Sequence, residues 1–176
     1  PILLIRSEPG AIPDALKVGL PVDGSSHSLA AAKFVAKHSV FFGRSPEILL
    51  IHVANLGEEV FYCDLDNPLP ETPGERFGAE AYFDKVNKER IALEKIDAEK
   101  AFESVRPAFA GSGLLVREVP LTGEVAPAIS RCARTEGLHL LVMGTRGLDN
   151  AVSVTLGSVT SRVLAEGTIP VLVVKG

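Results

Sequence analysis

Residues 138–160 read LHLLVMGTRGLDNAVSVTLGSVT, and the change of character along this string decides the fold. Leu138 to Met143 is a continuous apolar run of strand length, the mark of a strand buried on both faces. Gly144, Gly147, Gly157 and Ser158 follow in the spacing G-x2-G-x9-G-S. The pattern then turns helical, with Leu156, Val159 and Val163 three and four apart, and it stops at Gly167. A glycine-punctuated loop therefore leaves a buried strand and ends on the first turn of a helix. Such a loop suits an anion, because bare backbone approaches closely, N–H groups point inward and the helix N-terminus carries partial positive charge. Ser158 and Thr160 add hydroxyls to the same turn. The reading is a phosphate-binding loop; the bland alternative is a turn alone. No G-x-x-x-x-G-K-[ST] string is present, so the loop does not depend on a lysine of that type.

Outward from this string, the rest of the chain alternates strand and helix. Lys17 to Val22 is a strand with Pro21 at its exit, where a missing N–H is tolerated. Asp23-Gly24-Ser25-Ser26 is a turn in which Ser25 or Ser26 caps a helix running to about Phe42, with Leu29, Ala32 and Ala36 inward. Glu47 to Val53 is a second aliphatic strand. Ala54 to Gly78 is turn chemistry almost throughout, expected to be a lid or partner-contact loop or a tolerated surface insertion. Glu80 to Phe109 reads as one helix burying Tyr82, Val86, Leu93, Ile96, Phe102, Val105 and Phe109. Leu114 to Leu121 is a strand, and a helix from Thr122-Gly123-Glu124 to about Glu136 carries Pro127 in its first turn. Val171 to Val174 is the last strand. Apolar strands joined by helices predict an α/β fold, a doubly wound five-stranded parallel sheet with helices on both faces. Ligands in such sheets sit at the carboxyl ends of the strands where strand order reverses. Three segments meet there if the Lys17 strand is central: its own exit, the exit at Val53, and the glycine loop.

The N-terminus repeats the C-terminus. Pro1-Ile2-Leu3-Leu4-Ile5-Arg6 echoes Pro170-Val171-Leu172-Val173-Val174-Lys175, each a proline, four aliphatics and a cation. Residues 1–16 are thus an extension, either the last strand of a preceding similar domain or a strand-like native tail, and residues 17–176 the domain proper. In either case the extra aliphatic strand needs a sheet edge.

Composition limits the partners. At 176 residues and 46% hydrophobic content, the chain builds a single substantial core. A net charge of −4 provides no basic footprint for nucleic acid. No apolar run reaches membrane-spanning length. Cys63 and Cys132 have no metal-ligand spacing, which suits a reduced, cytoplasmic protein.

With these segments assembled, the chain resembles the universal stress protein family over nearly all of Lys17 to Lys175. The residues that carry the resemblance are Val22-Asp23-Gly24-Ser25, His52-Val53, the string Gly144, Gly147, Gly157 and Ser158, and Pro170 to Val174. The glycine string resembles that of the family's ATP-binding branch. The resemblance implies an adenine nucleotide α-hydrolase-like, Rossmann-like fold and an ATP-binding stress-response module. It implies that Pro21, Val22 and Asp23 line the adenosine end and that Val53 offers backbone to the adenine edge. Met143 and Gly144 would flank the ribose and first phosphate. Gly147, Gly157, Ser158, Val159 and Thr160 would hold the phosphates, bridged by Mg or Mn. It further implies a homodimer, or a tandem-domain pseudo-dimer, through the last strand. The Pro1 to Arg6 strand would then pair with Val171 to Val174 as a partner's strand would.

Single residues admit plainer readings. Asp23 binds ligand or supports the turn before the helix. Arg146 neutralises a phosphate or is simply exposed. His52 reads as a satisfied core histidine rather than a base, and Cys132 as core beside Val125 and Ile129. Three functions compete: a nucleotide-dependent regulatory module, a slow ATP hydrolase or phosphoryl or adenylyl transferase, and a nucleotide-free dimeric scaffold. Turnover needs a positioned base. The sequence offers none near the phosphates unless Asp64 or Asp66 supplies it, so no catalytic or metal-ligating residue is assigned.

Overall fold

The computed structural model describes residues 1–5, 13–55, 73–145, 156–167 and 169–176, with backbone alone for 73–84. The elements are β1 (Ile2–Leu4), β2 (Lys17–Pro21), α1 (Ser26–Lys37), β3 (Glu47–Ala54), α2 (Pro73–Phe109), β4 (Leu115–Thr122), α3 (Val125–Thr135), β5 (Leu140–Gly144), α4 (Ser158–Glu166) and β6 (Val171–Val174). Among the described residues these strands form one sheet in the order β1-β6-β5-β2-β3-β4. The pairs β2·β3, β2·β5, β3·β4 and β5·β6 are parallel, whereas β1 joins β6 antiparallel. The expected parallel sheet is present, with β1 as a sixth strand on its edge. β2 is central and strand order reverses there, which meets the condition for the three segments to converge.

Side-chain alternation assigns each helix layer to a face. Val18, Leu20, Ile48, Leu50, Leu140 and Val142 point to one face and pack against α1 and the C-terminal part of α2. Leu49, Ile51, Val53, Leu141, Met143, Val171 and Val173 point to the other, against α3 and α4. Gly19 lies between Leu138 and Leu141, whose methyls would be 2.5 and 2.7 Å from a Cβ there. The missing side chain lets β5 and its approach close on the central strand.

Several boundaries differ from the sequence expectation for local reasons. α1 ends at Lys37, and Ser39–Phe42 is a separate 3-10 turn that leaves Val40 and Phe41 exposed. The inward residues of α1 are Ser28, Ala31, Ala32 and Val35, while Leu29 and Ala36 lie at the margin of that face. Ala54 belongs to β3, and Pro73 to Gly78 belong to α2 rather than to a loop. Proline suits the first helical position, where its missing N–H costs nothing. The stripe expected on α2 is only half right: Phe102, Val105 and Phe109 are buried with Ala98 and Ala101, but Leu93 and Ile96 are half exposed. α2 runs 37 residues, far longer than a sheet layer of short strands needs, and Leu93 and Ile96 precede the stretch from Ala98 to Phe109 that joins the core. Val86 is half-buried, and the Tyr82 side chain lies outside the described residues. Residues 56–72, with Phe61, Tyr62, Cys63, Asp64 and Asp66, also lie outside them.

Candidate nucleotide site

The site begins where β2 leaves the sheet. Val22 N–H donates to Ile51 O at 2.8 Å, carrying the strand one residue past Pro21. Asp23 Oδ1 accepts from Ser25 N–H at 3.0 Å, and the Ser25 hydroxyl caps α1 by accepting from Ser28 N–H at 3.2 Å. Asp23 therefore does support the turn, as the plainer reading had it. Its second carboxylate oxygen has no protein partner among the described residues and stays available to a donor.

His52, on β3, is buried and satisfied at both nitrogens. Its Nδ1 lies 2.9 Å from Val22 O and its Nε2 lies 3.0 Å from Asp97 Oδ2 on α2, with Phe102 edge-on at 6.2 Å. A carbonyl only accepts, so Nδ1 carries a proton and donates it. Such a ring is a brace between the β2 exit and α2, in keeping with a structural histidine. Asp97 is the residue that sequence reasoning missed. It sits 45 residues from His52 on a charged helix face, and only the fold brings its carboxylate to the wall of the site. Ser28, Val125 and Ile129 join the wall in the same way.

The glycine loop is clasped by its own backbone. Gly157 N–H donates to Thr145 O at 2.7 Å, and Thr145 N–H donates to Val174 O at 3.0 Å. The buried Thr160 hydroxyl donates to Gly144 O at 3.0 Å, which joins α4 to the end of β5. Its proton is committed to that clasp, which leaves the Thr160 backbone N–H as the donor beside the cavity. Gly144 is likewise not bare for a ligand: a Cβ would meet the His27 backbone C and O at 2.8 Å. The first turn of α1 fills that space. Gly157 is different. It has φ −58° and ψ 154°, open to any residue, so no turn demands glycine there. It lines the cavity described below. Ser161 N–H makes the first intrahelical bond of α4, to Gly157 O at 2.9 Å, and no side chain caps the helix. The N–H groups of Ser158, Val159 and Thr160 thus lie ahead of the helical ladder, where the helix carries about +0.5 charge. Gly147 and Arg146 lie outside the described residues.

These segments converge on one cavity of about 290 Å³. Pro21, Val22, Asp23, Val53, Met143, Gly144, Gly157, Ser158, Val159 and Thr160 all line it. Its lining is mixed: Asp23 and Asp97 bring carboxylates, and the first residues of α4 bring backbone N–H groups ahead of the helical ladder. No lysine or arginine lines it among the described residues. Arg162, one turn into α4, is held by Glu124 and Glu166, whose hydrogen bonds raise its pKa. Cys132 is core, as expected, and burial pushes its thiol up, away from reactivity. No group of three or more metal-ligating side chains occurs among the described residues. Asp23 and Asp97 are the carboxylates on the lining, and Mg²⁺ that travels with phosphates is usually held by one or two carboxylates, phosphate oxygens and water.

The universal stress protein family model matches residues 16–175, nearly the whole chain. The chain belongs to the universal stress protein family. A universal stress protein of Thermus aquaticus is 31% identical over 162 residues, covering 89% of this chain and 96% of that protein. The universal stress protein MJ0577 of Methanocaldococcus jannaschii is 27% identical, covering 90% and 94%. The solved structure of MJ0577 superposes with a TM-score of 0.69 at 24% identity, covering 93% and 98%. Universal stress proteins of Archaeoglobus fulgidus in complex with dAMP and of Arabidopsis thaliana with AMP bound share the fold at TM-scores of 0.55 and 0.56. They are 15% and 18% identical and span 92% and 91% of this chain, 98% and 91% of their own. The fold is thus the Rossmann-like fold of this family. Among the described residues no helix is long and apolar enough to cross a membrane.

Proposed function

We propose that the cavity binds an adenine nucleotide, ATP with Mg²⁺ or Mn²⁺, and that occupancy regulates the protein as a cytoplasmic stress-response module. The observation that carries this reading is the polarity of the cavity. Ser158, Val159 and Thr160, whose N–H groups lie ahead of the helical ladder of α4, line the same cavity as Asp23 and Asp97. Phosphate oxygens only accept, so they go to the α4 end; ribose hydroxyls and the adenine amine donate, so they go to the carboxylate end. In this orientation Pro21, Val22, Asp23 and Val53 contact the nucleoside and Met143 and Gly144 its junction with the phosphates. Gly147, Gly157, Ser158 and Val159 hold the phosphate chain, with Thr160 contributing its N–H. The adenine nucleotides named for related universal stress proteins support the choice of base. Pairing through β6, in a homodimer or with a tandem domain, is part of the same reading.

The test is the nucleotide content of freshly purified protein, followed by calorimetric titration of ATP with and without Mg²⁺. Near-stoichiometric ATP or ADP, lost in Gly157→Val, supports the reading. A protein that is empty and binds neither ATP nor ADP overturns it. Steady ADP release from the intact protein alone would move the reading to a hydrolase.

A further inference from the structure

The cavity lies at the carboxyl ends of three neighbouring strands, β5, β2 and β3 in that order. Gly144 ends β5, and the Thr160 hydroxyl ties the start of α4 to it. Asp23 follows β2, and His52 and Val53 lie on β3, which is two strand spacings, about 10 Å, from β5. α1 packs over β2, β5 and β6, whereas α2 packs over β3 and β4. Asp97 of α2 is therefore a wall residue of the β3 side, and the 3.0 Å contact from His52 Nε2 to Asp97 Oδ2 fixes it there. The carboxyl group is only half spent on that contact. Nδ1 of His52 donates to Val22 O, so a further proton lies between Nε2 and Oδ2. Whether that proton rests on the ring or on the carboxyl, Asp97 Oδ1 remains an acceptor. Oδ1 has no protein partner among the described residues, and the side chain is 54% exposed.

We propose that Asp97 is a specificity-determining residue of this cavity: its Oδ1 accepts from the exocyclic amine of the base and so selects 6-amino over 6-oxo purines. The inference rests on the nucleotide reading of the cavity and names the side chain that reads the base. With the phosphates at the first turn of α4, beside β5, the ribose falls at β2 next to Asp23 and the base reaches β3, where Asp97 stands. A 6-amino group has two N–H donors and gives one to Oδ1. A 6-oxo group, as in inosine or guanosine, sets an acceptor against an acceptor and leaves both unmet. The same placement keeps the Asp97 carboxyl away from the phosphates, on a lining with no lysine or arginine among the described residues.

The experiment titrates the full chain by calorimetry with ADP, inosine 5′-diphosphate and 2′-deoxy-ADP. The unchanged protein should bind ADP about tenfold or more tightly than inosine diphosphate, the worth of one hydrogen bond to a charged group. Asp97→Ala removes the acceptor, so this preference should fall by about tenfold. Asp97→Lys only donates, so it should go further and favour inosine diphosphate. In both variants the preference for ADP over 2′-deoxy-ADP should keep its original value. Each ratio is measured on a single variant, so a general loss of stability cancels from it. A preference for ADP over inosine diphosphate that both variants retain overturns the proposal. So does a loss confined to the 2′-deoxy-ADP ratio, which would put Asp97 on the ribose. An unchanged protein that binds none of the three nucleotides overturns the nucleotide reading itself and this inference with it, so the two failures are told apart.

Discussion

Gly144→Ala tests why the first glycine of the loop is a glycine. If it is bare so that a ligand can approach, alanine should weaken binding and leave the empty protein as stable as before. The structure predicts the opposite emphasis. The added Cβ would lie 2.8 Å from both the carbonyl carbon and oxygen of His27, and 3.0 Å from the His27 Cβ. Those first two atoms are backbone in the first turn of α1, so no side-chain rotation relieves them. The residue has no positive φ, so the conformation itself accepts alanine and the cost is overpacking alone. Overpacking of a close-packed site costs about 1–3 kcal/mol. For a chain of this size each kcal/mol shifts Tm by about 2–4 °C, so the melting temperature of nucleotide-free protein should fall by about 2–12 °C. The assay is thermal and urea unfolding of nucleotide-free protein, with the Kd for ADP measured alongside. A nucleotide-free Tm unchanged within a degree or so, with only the Kd affected, would refute the packing argument and restore the ligand-approach reading.

Three further outcomes follow from the same geometry. Thr160→Val keeps the shape of the buried side chain but removes the donor to Gly144 O, so unfolding in urea should show a loss of about 1–3 kcal/mol. His52→Leu leaves Val22 O without its side-chain donor. It should cost a similar amount, about 1–3 kcal/mol by the urea midpoint. The third concerns acid. Glu136 is held below the ordinary carboxylate range, first by the Arg117 hydrogen bond and then by Lys17. A depressed carboxylate stabilises fully above its unfolded-state pKa and ceases to do so as pH falls through its folded value. The urea midpoint should therefore drop on acidification below the usual carboxylate range, and Arg117→Met should flatten that drop. An equally steep profile in Arg117→Met would show that this ion pair carries none of the acid sensitivity.

The alternation of strand and helix was legible because buried parallel strands and amphipathic helices leave opposite periodicities in the chain. Continuous apolar runs such as Glu47 to Val53 could be little else, and β3 has those bounds within one residue. The three site segments were legible for a related reason: each is the carboxyl end of a strand, and a doubly wound sheet puts all such ends on one side. α2 was read less well. Leu93 and Ile96 keep helical spacing with the buried residues, yet they are half exposed because the helix outruns the sheet beneath it. Periodicity reports which face could be buried, not how far the neighbouring layer extends.

The sequence alone determined the order of elements, the convergence of Asp23, Val53 and Gly157 on condition that the Lys17 strand is central, and the echo between the termini; the strand order itself met that condition. These depend on local patterns and on general rules of chain connection. Only the tertiary structure decided what each polar group does there. The Thr160 hydroxyl and the missing side chain of Gly144 look meant for a ligand by position, but one is spent on a clasp and the other on the approach of α1. Asp97 looks like an ordinary solvated helix residue, but it sits on the cavity wall because His52 ties it to the β2 exit. A hydrogen bond joins groups that are close in space, and for Gly144 and Thr160 or for His52 and Asp97 that proximity comes from the packed sheet rather than from neighbouring positions along the chain.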